Sequence, residues 1–274
     1  MSEWLTVFGT AQGGGNPALI VRSGPGESQA KHLQELARRE GLPVCVHLEE
    51  SGLERRVRFY SPARELPFCA FGALAAGAVI LRETANSSAS LRIGSREVRV
   101  DRQADTFVLT SLGAWVRDDI PEREVLFAAL RLAPDEVRSL RIASIGSPKV
   151  LVELESPSHL TKILPDAPAL ALWSQVNRIN GAYIFSTTSP YRLRARAFHP
   201  LADLREDTAT GVAAGALVWS LGIEPHVWLS VTQLAPGRAP CEILARRLPN
   251  ERTEVGGRVL LATAQDLREL AMAA

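Results

Sequence analysis

No stretch of this chain approaches the ~20 consecutive apolar residues that a helix needs to cross a bilayer. The longest candidates, residues 70–81 and 211–221, fall short of that length and carry glycine. Cysteine is scarce: Cys45, Cys69 and Cys241 form no CxxC pair and no Cys/His cluster. An odd count at wide spacing points to free thiols in a reducing compartment rather than to a disulfide framework. Histidine is equally dispersed (His32, His47, His159, His199, His226), so no metal site is expected. Charge of either sign is not in excess: 31 Lys and Arg face 30 Asp and Glu, a formal charge of +1. That balance excludes nucleic acid and a membrane surface as expected partners. The opening "MSEWLTVFGTAQ" has neither a basic start nor an apolar core, so the expectation is a cytoplasmic chain without a signal peptide.

What is present is an ordinary globular composition, 46% apolar over 274 residues, enough for two modest domains or one large one. "WLTVFGT" reads as an opening strand, and "AQGGGNPALIV" as a glycine turn followed by a second. Ser28 is placed to cap a helix over 29–40, with Leu33, Leu36 and Ala37 as its apolar stripe and Gly41 as its stop. "VCVHLEE" and "RRVRFYSP" are strands, and "SLRIGSREVRVDRQADTFVLTSL" reads as two or three antiparallel ones. A new series begins around "VRDDIPERE", with a helix over 122–132 and a short one in "SPSHLTKILPD". "SPYRLRARAFHP", "HVWLSVTQL", "CEILARRL" and "RVLLATA" follow as strands, and "QDLRELAMAA" as a closing helical pattern. The expected division is 1–118 and 119–261, with the tail 262–274 free to pack back on the first half.

The informative feature is an internal repeat. "RVRFYSPARELPFCAFGALAAGAVIL" and "RLRARAFHPLADLREDTATGVAAGALVWSL" share a grammar of alternating strand, aromatic, proline, charged loop and small-residue helix. Aligning Pro62 with Pro200 sets Cys69 opposite Thr210, Ala70 opposite Gly211 and Phe71 opposite Val212. Each half then carries a strand–loop–helix whose helix begins at a small or polar residue. A buried helix start has unsatisfied N–H groups and partial positive charge, and two facing each other would cradle a carboxylate. Small residues at Ala70, Gly72, Gly211 and Ala213 would let a ligand approach the backbone, or would simply let the helices pack closely.

At these residues the chain resembles the PhzF-like family, the phenazine-biosynthesis isomerase group built on the diaminopimelate epimerase fold. The carriers are "GGNPALIV" with Asn16, "RFYSPARELPFCAFG", "REDTATGVAAGAL" and "QLAPGRAPCEI", in order along nearly the whole chain. The resemblance implies an α/β (α+β) protein of two pseudo-symmetric domains, each a barrel-like, mostly antiparallel sheet around a central helix, with the active site between them. It implies no cofactor and no metal, a small-molecule carboxylate partner, and a possible homodimer. The chain departs from the family in three places. Where the isomerases carry a general acid/base Glu, "GLPVCVH" places Val44, an aliphatic side chain that cannot exchange protons. Phe71 and Gly72 stand where the family has His and Pro, and Val212 where it has Ser.

The residues left to carry chemistry are Asp207 and Cys69. Asp207 is the acid/base candidate, or else accepts N–H bonds at the helix start. Cys69 matches one of the two thiols used by epimerases of this fold, and a helix start can lower a thiol's pKa; the alternative is a small buried apolar side chain. Asn16, Ala70, Phe71, Gly72, Thr210, Gly211 and Val212 are expected to bind substrate. Cys45 is expected to face away from Val44, and His47 to be an exposed strand residue. His199 is expected to be structural, and Glu65 and Glu206 to cap helices or contact a neighbouring loop. Three functions follow: a cofactor-independent isomerase of a small unsaturated carboxylic or cyclic amino acid in secondary metabolism, a non-catalytic carboxylate-binding member of the fold, or a thiol-dependent epimerase using Cys69.

Overall fold

A computed structural model describes residues 2–11, 13–24, 30–52, 54–202, 204–263 and 265–266. Ser28 and Gln29, and the tail beyond 266, lie outside the described residues. The chain divides into two compact units.

The first unit runs to Ser111. Its elements are β1 (Ser2–Gly9), β2 (Asn16–Ser23), α1 (Ala30–Arg39), β3 (Val44–Ser51), β4 (Glu54–Tyr60), a short β5 (Glu65–Leu66), α2 (Ala70–Glu83), β6 (Ser88–Ile93), β7 (Arg96–Gln103) and β8 (Thr106–Leu112). β1 pairs antiparallel with β2, β3 with β4, β6 with β7 and β7 with β8. The two parallel pairings each span a helix: β2–β3 across α1, and β4–β6 across α2. α1 is amphipathic, burying Leu33 and Ala37, and ends where Gly41 takes a positive φ of 65°. α2 is apolar on every side, and that pattern suits only a helix enclosed on all faces. It buries Ala70 and every residue from Gly72 to Leu81, in contact with β1 to β4, β6 and β7. Glycine permits that enclosure. A Cβ on Gly72 would stand 2.8 Å from the Phe59 ring, and one on Gly77 would stand 2.6 Å from Val100.

The second unit repeats this order. Its strands and helices are β9 (Trp115–Arg117), α3 (Arg123–Leu130), β10 (Val137–Ser144), β11 (Lys149–Leu154), α4 (Pro157–Leu160), α5 (Ala167–Asn177), β12 (Ala182–Ser189), β13 (Arg192–His199), β14 (Leu204–Asp207), α6 (Gly211–Ser220), β15 (Leu229–Gln233), β16 (Cys241–Leu248) and β17 (Arg252–Leu261). β10–β11 and β12–β13 are antiparallel, while β11–β12 and β13–β15 are parallel around α4–α5 and α6. The short β14 pairs with β13 as β5 does with β4. α3 and α5 cover an outer core of Leu126, Leu130, Leu170, Trp173 and Ile184, and the Trp173 indole N–H donates to the Pro121 carbonyl. α6 buries Ala213, Ala214, Gly215, Ala216, Leu217 and Val218 in contact with β9, β10 and β11.

β17 returns to the first unit from Val255 on, where it pairs with β1 and β8. With β1, β2, β3, β4, β6, β7 and β8 it closes a barrel around α2. Gly237–Cys241 belongs to that unit too. The expected boundary near residue 118 therefore lies at Ser111 in the structure, and 119–261 is not continuous in one half. The reason is closure: the eighth strand between β1 and β8 comes from the far end of the chain. Among the described residues, no helix is long and apolar enough to cross a membrane.

Candidate functional site

Cys69 and Thr210 are both N-cap residues, of α2 and of α6. The two positions are filled differently. In the first unit the backbone at Cys69 is extended (φ −144°, ψ 110°), and its Sγ accepts the Gly72 N–H at 3.4 Å. A soft acceptor thus satisfies one of the N–H groups that a helix start leaves over. Cys69 and Ala70 are buried, Phe71 is partly exposed, and Gly72 lies under the Phe59 ring and Val46. The space that Gly72 leaves is occupied by core side chains. Asn16, wholly buried, opens β2 opposite Val7. The turn before it is bound to Cys241, whose Sγ accepts the Gly15 N–H at 3.1 Å.

Val44 is buried beside Ala18 on β2. Cys45 lies on the other face, packed with Leu33, Ala37 and Leu42 under α1, and burial pushes its thiol up to about 12. His47 is a correction: it is buried, not exposed, because its imidazole meets the Ser23 hydroxyl of the neighbouring strand at 2.6 Å.

The start of α6 in the second unit is polar and mostly buried. The Thr210 hydroxyl donates to Asp207 Oδ2 at 2.7 Å, and the Thr210 N–H donates to Gln233 Oε1 at 2.9 Å. The Gln233 amide returns a hydrogen bond to the Asp207 carbonyl at 2.6 Å, and the Tyr183 hydroxyl donates to Gln233 Oε1 at 3.1 Å. Asp207 is thereby held by its main chain and by its carboxylate at once. Its Oδ2 lies 3.9 Å from His199 Nδ1. Gly211 is buried and Val212 partly exposed. The N–H groups of the first helical turn point toward the same end, where their partial positive charge favours an anion.

A buried lysine is coupled to Asp207 through its charge. Lys149, the first residue of β11, is buried, and its Nζ donates to the Asn180 carbonyl at 2.5 Å and to the Ser147 hydroxyl at 3.5 Å. Burial pushes Lys149 down to about 7, with the Asp207 charge pulling the other way. His199 is held well below its ordinary value by burial and by the Lys149 charge, so its imidazole is neutral.

Glu65 and Glu206 cap neither helix. Each takes a bidentate bond from an arginine on the preceding strand, Arg58 at 2.9 and 2.8 Å and Arg196 at 2.7 Å twice. Sequence reasoning passed over Lys149, Tyr183 and Gln233. Gln233 opens "QLAPGRAPCEI", one of the stretches that carry the resemblance, yet nothing in that stretch points to its bonds with Thr210 and Asp207. Lys149 left a faint trace, a single cation leading the apolar run "VLV".

The family description "Phenazine biosynthesis-like protein" matches residues 5–242. An "uncharacterized isomerase" of Deinococcus radiodurans is 28% identical over 92% of this chain and 90% of its own length. The trans-2,3-dihydro-3-hydroxyanthranilate isomerase of Pseudomonas aeruginosa is also 28% identical, over 74% of this chain and 73% of that protein. The crystal structure of a Bacillus anthracis phenazine biosynthesis protein of the PhzF family superposes with a TM-score of 0.84 at 15% identity, covering 96% of both chains. The match to the family over most of the chain, carried on the two-unit fold just described, makes this protein a member of the phenazine biosynthesis-like (PhzC-PhzF) family.

Proposed function

We propose that this chain is a cofactor-independent isomerase that moves a proton, and with it a double bond, on a small unsaturated carboxylic or cyclic amino acid in secondary metabolism. The observation that carries the reading is the Asp207–Thr210–Gln233 arrangement at the start of α6. Asp207 is a carboxylate anchored through both its carbonyl and its side chain, so it can take and return a proton without losing its place. The main-chain N–H groups at Gly211 and Val212 supply the partial positive charge for a substrate carboxylate. In a conjugated substrate the C–H electrons pass into the double-bond system as the proton leaves. The carboxylic acid, after exchanging its proton with solvent, then protonates another carbon. Cys69 is assigned to capping of α2, and Ala70 and Gly72 to packing rather than to substrate. The Pseudomonas aeruginosa relative, named for its action on trans-2,3-dihydro-3-hydroxyanthranilate, supports this class of substrate.

A second reading is favoured by Val44. With an aliphatic side chain where the family's Glu is expected, the fold would bind a small carboxylate without transforming it. Incubation with trans-2,3-dihydro-3-hydroxyanthranilate in deuterated water separates the two. Incorporation of deuterium into carbon supports the isomerase. Binding of the same compound with no label incorporated would leave only the carboxylate-binding reading.

A further inference from the structure

Three of the 31 basic side chains in this sequence are lysines; the rest are arginines. Lys31 and Lys162 are exposed, whereas Lys149 is 1% exposed on a strand buried along its whole length. An apolar residue would fill that place at less cost, since a buried cation loses its hydration. The surroundings of Lys149 explain its retention. Its Nζ has two oxygen partners, the Asn180 carbonyl and the Ser147 hydroxyl. Two acceptors satisfy the two N–H groups of a neutral amine, whereas an ammonium carries three. Val150 pairs with Ala182 and Ala182 with Phe198, so Lys149 and His199 each stand one residue from that row, and Asp207 Oδ2 lies 3.9 Å from His199 Nδ1. Within this group the charge of Asp207 acts on Lys149, and the charge of Lys149 acts on His199. Tyr183 on β12 reaches the same cluster through Gln233. His199 is itself more than nine-tenths buried, and its Nε2 has no hydrogen-bond partner among the described residues.

We propose that Lys149 is a positioning residue of the Asp207 site, an amine that gains and loses a proton beside that carboxylate and so sets how tightly the carboxylate holds its own. As an ammonium, Lys149 favours ionised Asp207 and makes it a weaker base. As an amine, it lets Asp207 hold a proton more firmly. Lys149 ends each turnover in the state in which it began, because Asp207 gives one proton to carbon for each one it takes. Burial brings the lysine's own titration to about 7, so both states are populated near neutral pH. His199, neutral throughout, keeps a second cation out of the cluster. The inference rests on Asp207 as the proposed acid/base.

The test needs no substrate. The full chain is labelled with 13C,15N-lysine, and its three side-chain signals are followed from acid to alkaline pH. Lys31 and Lys162 should titrate near the ordinary lysine value of about 10.4. Lys149 should titrate well below them and fall further in Asp207→Asn, which removes the charge pulling it up. Coupling is reciprocal, so His199 ring signals should titrate higher in Lys149→Met than in the wild type. That second variant carries the test if Asp207→Asn does not fold. Lys149 titrating together with Lys31 and Lys162 would overturn the proposal. So would midpoints of Lys149 and His199 that stay fixed when the partner is removed. Once deuterium exchange is measurable, Lys149→Arg, which stays charged, should abolish the limb of its pH profile near neutrality. A chain that incorporates no deuterium yet shows the coupled titration would refute the isomerase reading alone.

Discussion

The two helix starts occupy the same place in two copies of one topology and are built from opposite chemistry. In the first unit Leu19 pairs with Cys45, and Cys45 with Tyr60. In the second, Val150 pairs with Ala182, and Ala182 with Phe198. One residue before Leu19 is Ala18, and one before Val150 is Lys149. Around Cys69 the space is filled by Phe59, Val46 and a glycine with no room for a methyl group. Around Thr210 it is filled by Asp207 and Gln233, with His199 against Asp207. The backbone repeat thus sets where a site can be, and a few side chains decide which copy is packed tight and which is polar.

The same contrast recurs in the arginine–glutamate pairs of the two loops. Arg58 and Glu65 are 43% and 42% exposed, whereas Arg196 and Glu206 are 6% and 16% exposed. Arg196 also donates to the carbonyls of Leu160 and Ile163. Arg196→Met leaves Glu206 and both carbonyls without it and should cost about 3–5 kcal/mol in denaturant unfolding. Arg58→Met should cost less than about 1 kcal/mol. Equal losses would show that burial does not distinguish the two loops.

Packing around α2 gives the next effect. Gly72→Ala places a methyl group against Phe59 and should destabilise by about 1–3 kcal/mol, read from the urea midpoint. An unchanged midpoint would mean that the helix start has space for a ligand after all.

Lys149→Met should be at its most stable relative to the wild type near pH 6, where the buried amine is protonated in folded and unfolded chains alike. Lys149 is protonated up to about 10.5 when unfolded but only to about 7 when folded. Between those values the unfolded chain binds more protons, so this group makes stability rise with pH across that window. Below about 7 its cost is at its greatest. The wild type should therefore gain on the variant as pH climbs from 7 to 10.5, and parallel curves would contradict the burial of a titrating amine.

The smallest effect is expected at Cys69. As a cap held at 3.4 Å by Gly72 N–H and buried, it should react with iodoacetamide slowly in the folded chain. Cys69→Ala should cost about 1 kcal/mol. Rapid labelling with protection by a carboxylate would revive the thiol mechanism.

Much of this organisation was legible beforehand. Alternation marked most of the strands, and the repeated proline, charged loop and small-residue run located α2, α6 and both N-caps. What escaped has physical reasons. α5 is nearly featureless in "APALALWSQVN", although Asp166 accepts the Ala169 N–H and Pro168 follows in the first turn. β17 closes the first barrel from the end of the chain, a pairing that no local pattern encodes. His47 shares the alternation of an exposed strand face, and only Ser23 on a neighbouring strand explains its burial. The Lys149–Asp207–His199 cluster joins three elements far apart in sequence, and each residue alone reads as unremarkable.

The claim at the centre of this account is that proton transfer belongs to the α6 start and packing to the α2 start. Deuterium incorporation into trans-2,3-dihydro-3-hydroxyanthranilate, measured side by side for the wild type, Asp207→Asn and Cys69→Ala, tests it most directly. Asp207→Asn should be slowed about 10²-fold or more while remaining folded, and Cys69→Ala should stay close to the wild type. A wild-type rate in Asp207→Asn, or loss of exchange in Cys69→Ala, would contradict it.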